Sequence, residues 1–228
     1  MGSPVRYPFG VNNIDPSTVL RNLPIPDWSK LHVFLDDFDK YTAAQWTVGG
    51  VNAGVPALTA GDGGLLVMTN AGANGDSTFI QQAQPAFVFT PGKQLFFRAR
   101  AALNAITFGS VALGLQVAVA ANNFLTPANG VFLRKSASNA GMELVNRVGG
   151  AETATATFGD YTGGQVDVAF YYDGKGTIWA GLGNDLASIS LTPAAISSAA
   201  MGVVAGVQNT SAASRVLTLD QLYCVKER

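Results

Sequence analysis

Paired carboxylates are the first chemistry to seek in a chain built from short apolar runs, because large β domains often bind or cut sugars. Glycoside hydrolysis needs two carboxyl groups about 5–5.5 Å apart for retention and wider for inversion. On a strand, residues i and i+2 or i+4 share a face, so such a pair would appear as two acids at that spacing. The three glutamates, Glu143, Glu152 and Glu227, stand on separate segments without one, and Asp167 alternates with Val166 and Val168. The single histidine, His32, has neither a second histidine nor a cysteine near it to build a metal cage, and reads as structural. Cys224, the only cysteine, sits between Tyr223 and Val225 as a small packed hydrophobe, and excludes an internal disulfide.

The tightest acidic cluster is Asp36-Asp37-Phe38-Asp39. Three carboxylates could attract Ca²⁺, but the spacing is not that of an EF-hand, and a strand leaving the core into a polar turn explains it. Gly61-Asp62-Gly63-Gly64 lacks the Lys-Ser/Thr and following helix of a phosphate loop, so it reads as a tight turn. Asn209-Thr210-Ser211 matches a glycosylation acceptor only formally, since the N-terminus shows no charged-then-apolar export signal. Trp28, Trp46 and Trp179 could form a sugar platform; Trp46 and Trp179 fall in strands and read as core. The residues therefore predict no enzyme, no catalytic residue, no metal and no cofactor.

The composition narrows the partners. Net charge is −1 over 228 residues, charged residues are 13%, and no basic run exceeds Arg134-Lys135, so no nucleic-acid face can be read. Apolar residues make up 48% but lie in short runs, far below a membrane span. A weakly charged surface of this kind suits a protein that works in contact with others.

Such residues must be placed by an all-β body. Strands are predicted at Leu31–Phe38, Gln45–Gly49, Gly64–Asn70, Ser77–Gln82, Leu95–Leu103, Val111–Ala120 and Gly130–Lys135. They continue at Met142–Val148, Thr153–Phe158, Gln165–Tyr172, Gly176–Leu182, Gly202–Gln208 and Arg215–Val225. Val166, Val168, Phe170 and Tyr172 share one face, and Asp173-Gly174-Lys175-Gly176 before Thr177-Ile178-Trp179 is a hairpin signal. Pro193–Ala200 is the only helix predicted, with Thr192 as N-cap. The pattern fits an antiparallel β-sandwich, two packed sheets with Greek-key returns, over residues 31–228.

In front of it stands an arm, residues 1–30, with five of the ten prolines: Pro4, Pro8, Pro16, Pro24 and Pro26. That spacing permits neither a helix nor a central strand. Yet Val5, Tyr7, Phe9, Val11, Ile14, Val19, Leu20, Leu23, Ile25 and Trp28 are too many apolar residues for a solvated linker. The arm must lie on something, either its own body or a neighbouring subunit. Fully extended it could reach on the order of 100 Å.

These pieces resemble a family of capsid decoration (cement) proteins of tailed bacteriophages, built on a concanavalin A-like lectin/glucanase jelly roll. The resemblance runs from Pro4-Val5-Arg6-Tyr7-Pro8-Phe9-Gly10-Val11 through Val33-Phe34-Leu35-Asp36-Asp37-Phe38-Asp39-Lys40-Tyr41 and Trp46. It continues in Gly61-Asp62-Gly63-Gly64, Pro91-Gly92-Lys93, Asn129-Gly130-Val131-Phe132, Asp173-Gly174 and Asp220 to Arg228. It implies a virion structural protein on the capsid exterior, made in the host cytoplasm, that bridges major capsid protein subunits and pairs with itself as a homodimer or homotrimer. The implied contact residues are in the arm: Val5, Arg6, Tyr7, Phe9, Val11, Ile14, Leu20, Leu23, Ile25 and Trp28. The alternative is a carbohydrate-binding, lectin-like module of a tail fibre or adhesin, which would show a groove with exposed Trp or Tyr.

Overall fold

The computed structural model describes residues 30–61, 63–107, 109–120 and 123–228. In chain order the strands are β1 (Leu31–Asp36), β2 (Trp46–Gly49), β3 (Ala57–Thr59), β4 (Leu65–Thr69), β5 (Ser77–Gln82), β6 (Leu95–Leu103), β7 (Gly109–Gln116) and β8 (Gly130–Lys135). After them come β9 (Gly141–Val148), β10 (Ala151–Asp160), β11 (Gly164–Tyr172), β12 (Thr177–Leu182), β13 (Asp185–Ser190), β14 (Gly202–Asn209) and β15 (Val216–Glu227). They form two antiparallel sheets. One runs β13-β12-β11-β6-β15-β4-β3, with β1 also on β15; the other runs β10-β9-β8-β7-β14-β5-β2. The chain is an all-β sandwich, as its alternating pattern predicts.

The core lies between the sheets. Val168, Phe170 and Tyr172 of β11 point into it, and Phe170 stacks on Phe97 of β6 with ring centroids 5.1 Å apart. Leu217, Leu219, Leu222 and Cys224 fill the inner face of β15, where an irregularity between Leu219 and Gln221 restores the inward phase. The opposite sheet contributes Leu113, Leu115, Val131, Leu133, Leu144, Val203 and Ala205.

Turn chemistry fixes the register. Asp173 Oδ1 accepts hydrogen bonds from the backbone N–H groups of Lys175, Gly176 and Thr177 at 2.7, 3.0 and 3.0 Å. That Asx turn sets Tyr172 opposite Ile178 and Tyr171 opposite Trp179. Near the start of the body, β1 ends at Asp36, because Phe38 takes φ +56° and drops its ring, wholly buried, into the core. Asp36 holds this corner by accepting from Phe38 N–H at 2.9 Å and from Trp46 Nε1–H at 3.3 Å.

Several expectations need correction. The predicted helix Pro193–Ala200 is one 3₁₀ turn, Pro193–Ala195, and Thr192 makes no side-chain cap. Ile196 and Ser197 are buried just beyond it, so packing, not propensity, directs that segment. β3 and β13 were not foreseen: β3 is three exposed residues, and β13 is an edge strand with one buried side chain, so neither carries a full alternation. Trp46 is core as expected, whereas Trp179 is 41% exposed on the outside of the sandwich.

Candidate functional site

Each sheet has an outward face, and the two differ in kind. On the seven-stranded sheet, Phe79, Ala112, Phe132, Val145 and Val204 would be open to solvent but for the segment that follows β7. That segment leaves the strand after Gln116 and lays Phe124, wholly buried, on these residues, with Val119 and Leu125 beside it. Buried polar side chains fasten it. Gln81 Nε2 donates to the carbonyls of Gln116 and Val117, Gln81 Oε1 accepts from Val119 N–H, and Gln116 Nε2 donates to Phe124 O at 2.7 Å. Arg147 holds its far end through Pro127 O at 2.9 Å. The face is thus roofed by the chain itself.

At the edge of that roof the fold gathers charges that lie far apart in sequence. Arg134 of β8 binds Glu143 of β9 at 2.7 Å and Glu152 of β10 at 2.9 Å, and Arg147 lies 3.6 Å from Glu152. Glu143 and Glu152 stand on separate segments of the sequence; strand pairing brings both onto one guanidinium. Partial burial alone would raise the Glu152 carboxyl, but hydrogen bonds from Arg134 and Thr155 and the charges of Arg134 and Arg147 outweigh it and hold it below the ordinary value. Glu152 is therefore a poor proton donor at neutral pH. Glycosidic cleavage needs a carboxylic acid that keeps its proton.

The eight-stranded sheet carries no such roof among the described residues. One row across it reads Trp179, Tyr171, Phe96, Val225 and Val33, on β12, β11, β6, β15 and β1. The Trp179 and Tyr171 rings are 23° from parallel with centroids 6.0 Å apart, and Phe96 meets Tyr223 at 6.1 Å. The next row begins Leu186, Gly181, Ala169 and Arg98. Its two small residues leave a notch of about 360 Å³ between the aromatic row, Leu186 and the Arg98–Asp167 ion pair. A second hollow of about 260 Å³, lined partly by Leu31, Tyr223 and Val225, adjoins it and shares Phe96 and Tyr171.

The residues singled out by sequence fall as follows. His32 packs on Phe87 with centroids 4.8 Å apart. Burial, then the charges of Arg228 and Lys226, lowers its pKa. Cys224 is wholly buried, which pushes its thiol well up. Among the described residues no group of three or more His, Cys, Asp or Glu side chains could hold a metal ion, and Asp36 is already engaged at its corner. Gly64 N–H bonds to Gly61 O, as a tight turn requires, with Asp62 outside the described residues. Asn209 is buried and donates to the carbonyls of Ala73, Ser211 and Ala213, which organises a loop. Val5, Arg6, Tyr7, Phe9, Val11, Ile14, Leu20, Leu23, Ile25 and Trp28 all lie outside the described residues.

A two-sheet sandwich with this strand order is a jelly roll of the lectin and glucanase kind, and solved structures bear this out. An endo-1,3-beta-glucanase from Streptomyces sioyaensis superposes with a TM-score of 0.61 at 12% identity, covering 90% of this chain and 99% of the enzyme. Lectin II from Ulex europaeus gives 0.60 at 12% identity, covering 86% of this chain and 99% of the lectin. A protein of unknown function from Shewanella oneidensis MR-1 gives 0.61 at 13% identity, covering 87% of each chain. No protein-family model and no curated protein sequence matches the chain. At such identities the likeness is one of fold alone.

Proposed function

We propose that this chain is a non-catalytic virion protein, a decoration or cement protein that sits outside a tailed-phage head and bridges major capsid protein subunits through its N-terminal arm. The observation that carries this reading is the way residue 30 enters the body. Arg228 N–H donates to Lys30 O and Arg228 Nε–H to Leu31 O, each at 2.8 Å, and β1 pairs with β15 along its full length from Leu31 to Asp36. β15 in turn pairs with β6. A pull on the arm therefore passes into the middle of a sheet, which a bridging protein needs.

Three of the matching segments, Pro91-Gly92-Lys93, Asp173-Gly174 and the end of β15, meet at that same end. Gly92 N–H bonds to Gly174 O at 2.7 Å, Gln94 N–H to Glu227 Oε2 at 2.9 Å, and Lys226 Nζ to Thr90 Oγ1 at 2.9 Å. The non-catalytic part of the proposal is supported by the two glutamates tied to Arg134. Many copies on one lattice would bind by avidity, so each need grip only weakly. Self-association as a dimer or trimer around a local axis would add to it.

Co-sedimentation with expanded capsid shells tests the proposal. The full chain is expected in the pellet, and a chain lacking residues 1–30 in the supernatant with the circular dichroism of a folded sandwich. Retained attachment by the truncated chain removes the arm from the mechanism, and a full chain that stays in the supernatant ends the decoration reading.

A further inference from the structure

We infer that the notch over Ala169 and Gly181 is a binding site for a hexopyranose unit of a neutral glycan, on the opposite sheet from the roofed face. Three features of its walls specify that chemistry. One wall is aromatic: Trp179 and Tyr171 are stacked near parallel, and Phe96 continues the row. Aromatic faces carry partial negative charge and attract the polarised C–H groups on the apolar side of a pyranose ring.

The opposite wall is polar and half spoken for. Arg98 Nε and Nη2 both donate to Asp167 Oδ1, at 3.1 and 2.8 Å. Asp167 Oδ2 and Arg98 Nη1 make no hydrogen bond among the described residues, which leaves one acceptor and one donor on that wall. A pair of neighbouring sugar hydroxyls, each able to give and take a hydrogen bond, matches that pair. The two charges cancel, so a phosphate or uronate would meet Asp167 with nothing gained over a neutral sugar.

The floor is kept low by residue choice. Gly181 and Ala169 lie between Leu186 and Arg98, and a Cβ on Gly181 would stand 2.8 Å from Leu186 Cδ2. Leu186 is 73% exposed and Trp179 41%, and neither is required by the core. The volume falls within the range of small-ligand pockets. The hollow lined by Tyr223 and Leu31 shares Phe96 and Tyr171 with the notch, which suits a chain of sugars better than a single one.

The test uses the full chain, labelled with ¹⁵N, titrated separately with maltohexaose, mannohexaose and a β1,4-linked galactotetraose to about 10 mM, well above a Kd of ~1 mM expected for so open a site. The readout is the indole N–H resonance of Trp179, assigned by its loss in Trp179→Phe. At least one sugar is expected to give a saturable shift. The same binding, followed by backbone resonances of β11 and β12, should weaken at least about tenfold in Trp179→Ala and about fivefold in Asp167→Asn. No saturable shift with any of the three sugars overturns the inference, as does binding that survives Trp179→Ala. Light scattering that shows an oligomer falling to monomer on Trp179→Ala also overturns it, by giving the face to a second copy of the chain.

Discussion

Phe124 lies against Gly206, where a Cβ would stand 2.7 Å from its ring. The glycine is what lets the roof settle onto β14. Gly206→Ala should therefore destabilise the protein by about 1–3 kcal/mol through overpacking, and Phe124→Ala by about 3–5 kcal/mol through the cavity it leaves. The two are not independent. With the ring gone the added methyl keeps only its tight contact with Phe79 Cβ, at 2.8 Å, so the double variant should be at least about 1 kcal/mol more stable than the sum of the two losses predicts. Urea unfolding of the four proteins checks this. Simple additivity would mean that the segment does not rest on Gly206.

Gly64 and Gly75 share a left-handed backbone, φ +99° and +89°, but not a setting. A Cβ on Gly64 would lie 2.0 Å from Phe38 O, whereas one on Gly75 would meet nothing within 4 Å. Gly75→Ala should cost only the strain of the conformation, about 1–2 kcal/mol. Gly64→Ala must also push back the corner at which Phe38 enters the core, and should cost on the order of 3 kcal/mol or more. Thermal unfolding of the pair distinguishes contact from conformation, and equal losses would assign the whole effect to φ.

Much of this architecture is legible in the chain. Ser77–Gln82, Leu95–Leu103 and Gly130–Lys135 are strands with the bounds their pattern predicts. Other bounds moved for local reasons: the run from Val111 stops at Gln116 because the chain must turn to roof its own sheet. Trp179 is instructive. Its neighbours Ile178 and Ala180 alternate with it, and the hairpin at Asp173 pairs Ile178 with inward Tyr172, so an outward Trp179 was implied by spacing. The preference of tryptophan for burial obscured it. The roof could not be read, since residues 117–120 continue the strand pattern and residues 121–129 carry no period that would say which face they cover. Nor could the meeting of Glu143 and Glu152, which depends on the order β8-β9-β10.

His32 gives the fold a dependence on acid. Its imidazole packs on Phe87, with Nε2 buried and without a hydrogen-bond partner, and the charges of Lys226 and Arg228 nearby. Because its folded pKa is lowered, the unfolded chain takes up the proton first as pH falls. Its contribution is complete above the ordinary imidazole value and is lost as pH drops through and below it. The urea midpoint should fall between pH 7.5 and 5 by more in the wild type than in His32→Phe, pH values chosen to span the ordinary imidazole pKa of about 6.5. Parallel declines would show that other groups set the acid limit.

Lys135 is the stranger buried charge. It shares strand parity with Val131 and Leu133, so its side chain enters the sandwich, where Nζ donates to the carbonyls of Ile106, Gly109 and Ser136 at 2.5, 3.3 and 3.2 Å. Among the described residues no carboxylate pairs with it. Burial lowers its pKa, yet removing it takes a donor from three carbonyls at once. Lys135→Met should therefore cost about 1–3 kcal/mol at pH 7, the usual penalty for stranding buried acceptors. A lowered lysine also holds back stability at neutral pH that is recovered as pH rises toward the unfolded value, since the unfolded chain keeps its proton longer. The amine that remains still donates. The stability gap between wild type and Lys135→Met should consequently widen from pH 7 to about 10, just below the ordinary lysine pKa. A gap that narrows over that range would mean that the ammonium charge, and not the hydrogen bonds, holds the loop before β7 in place.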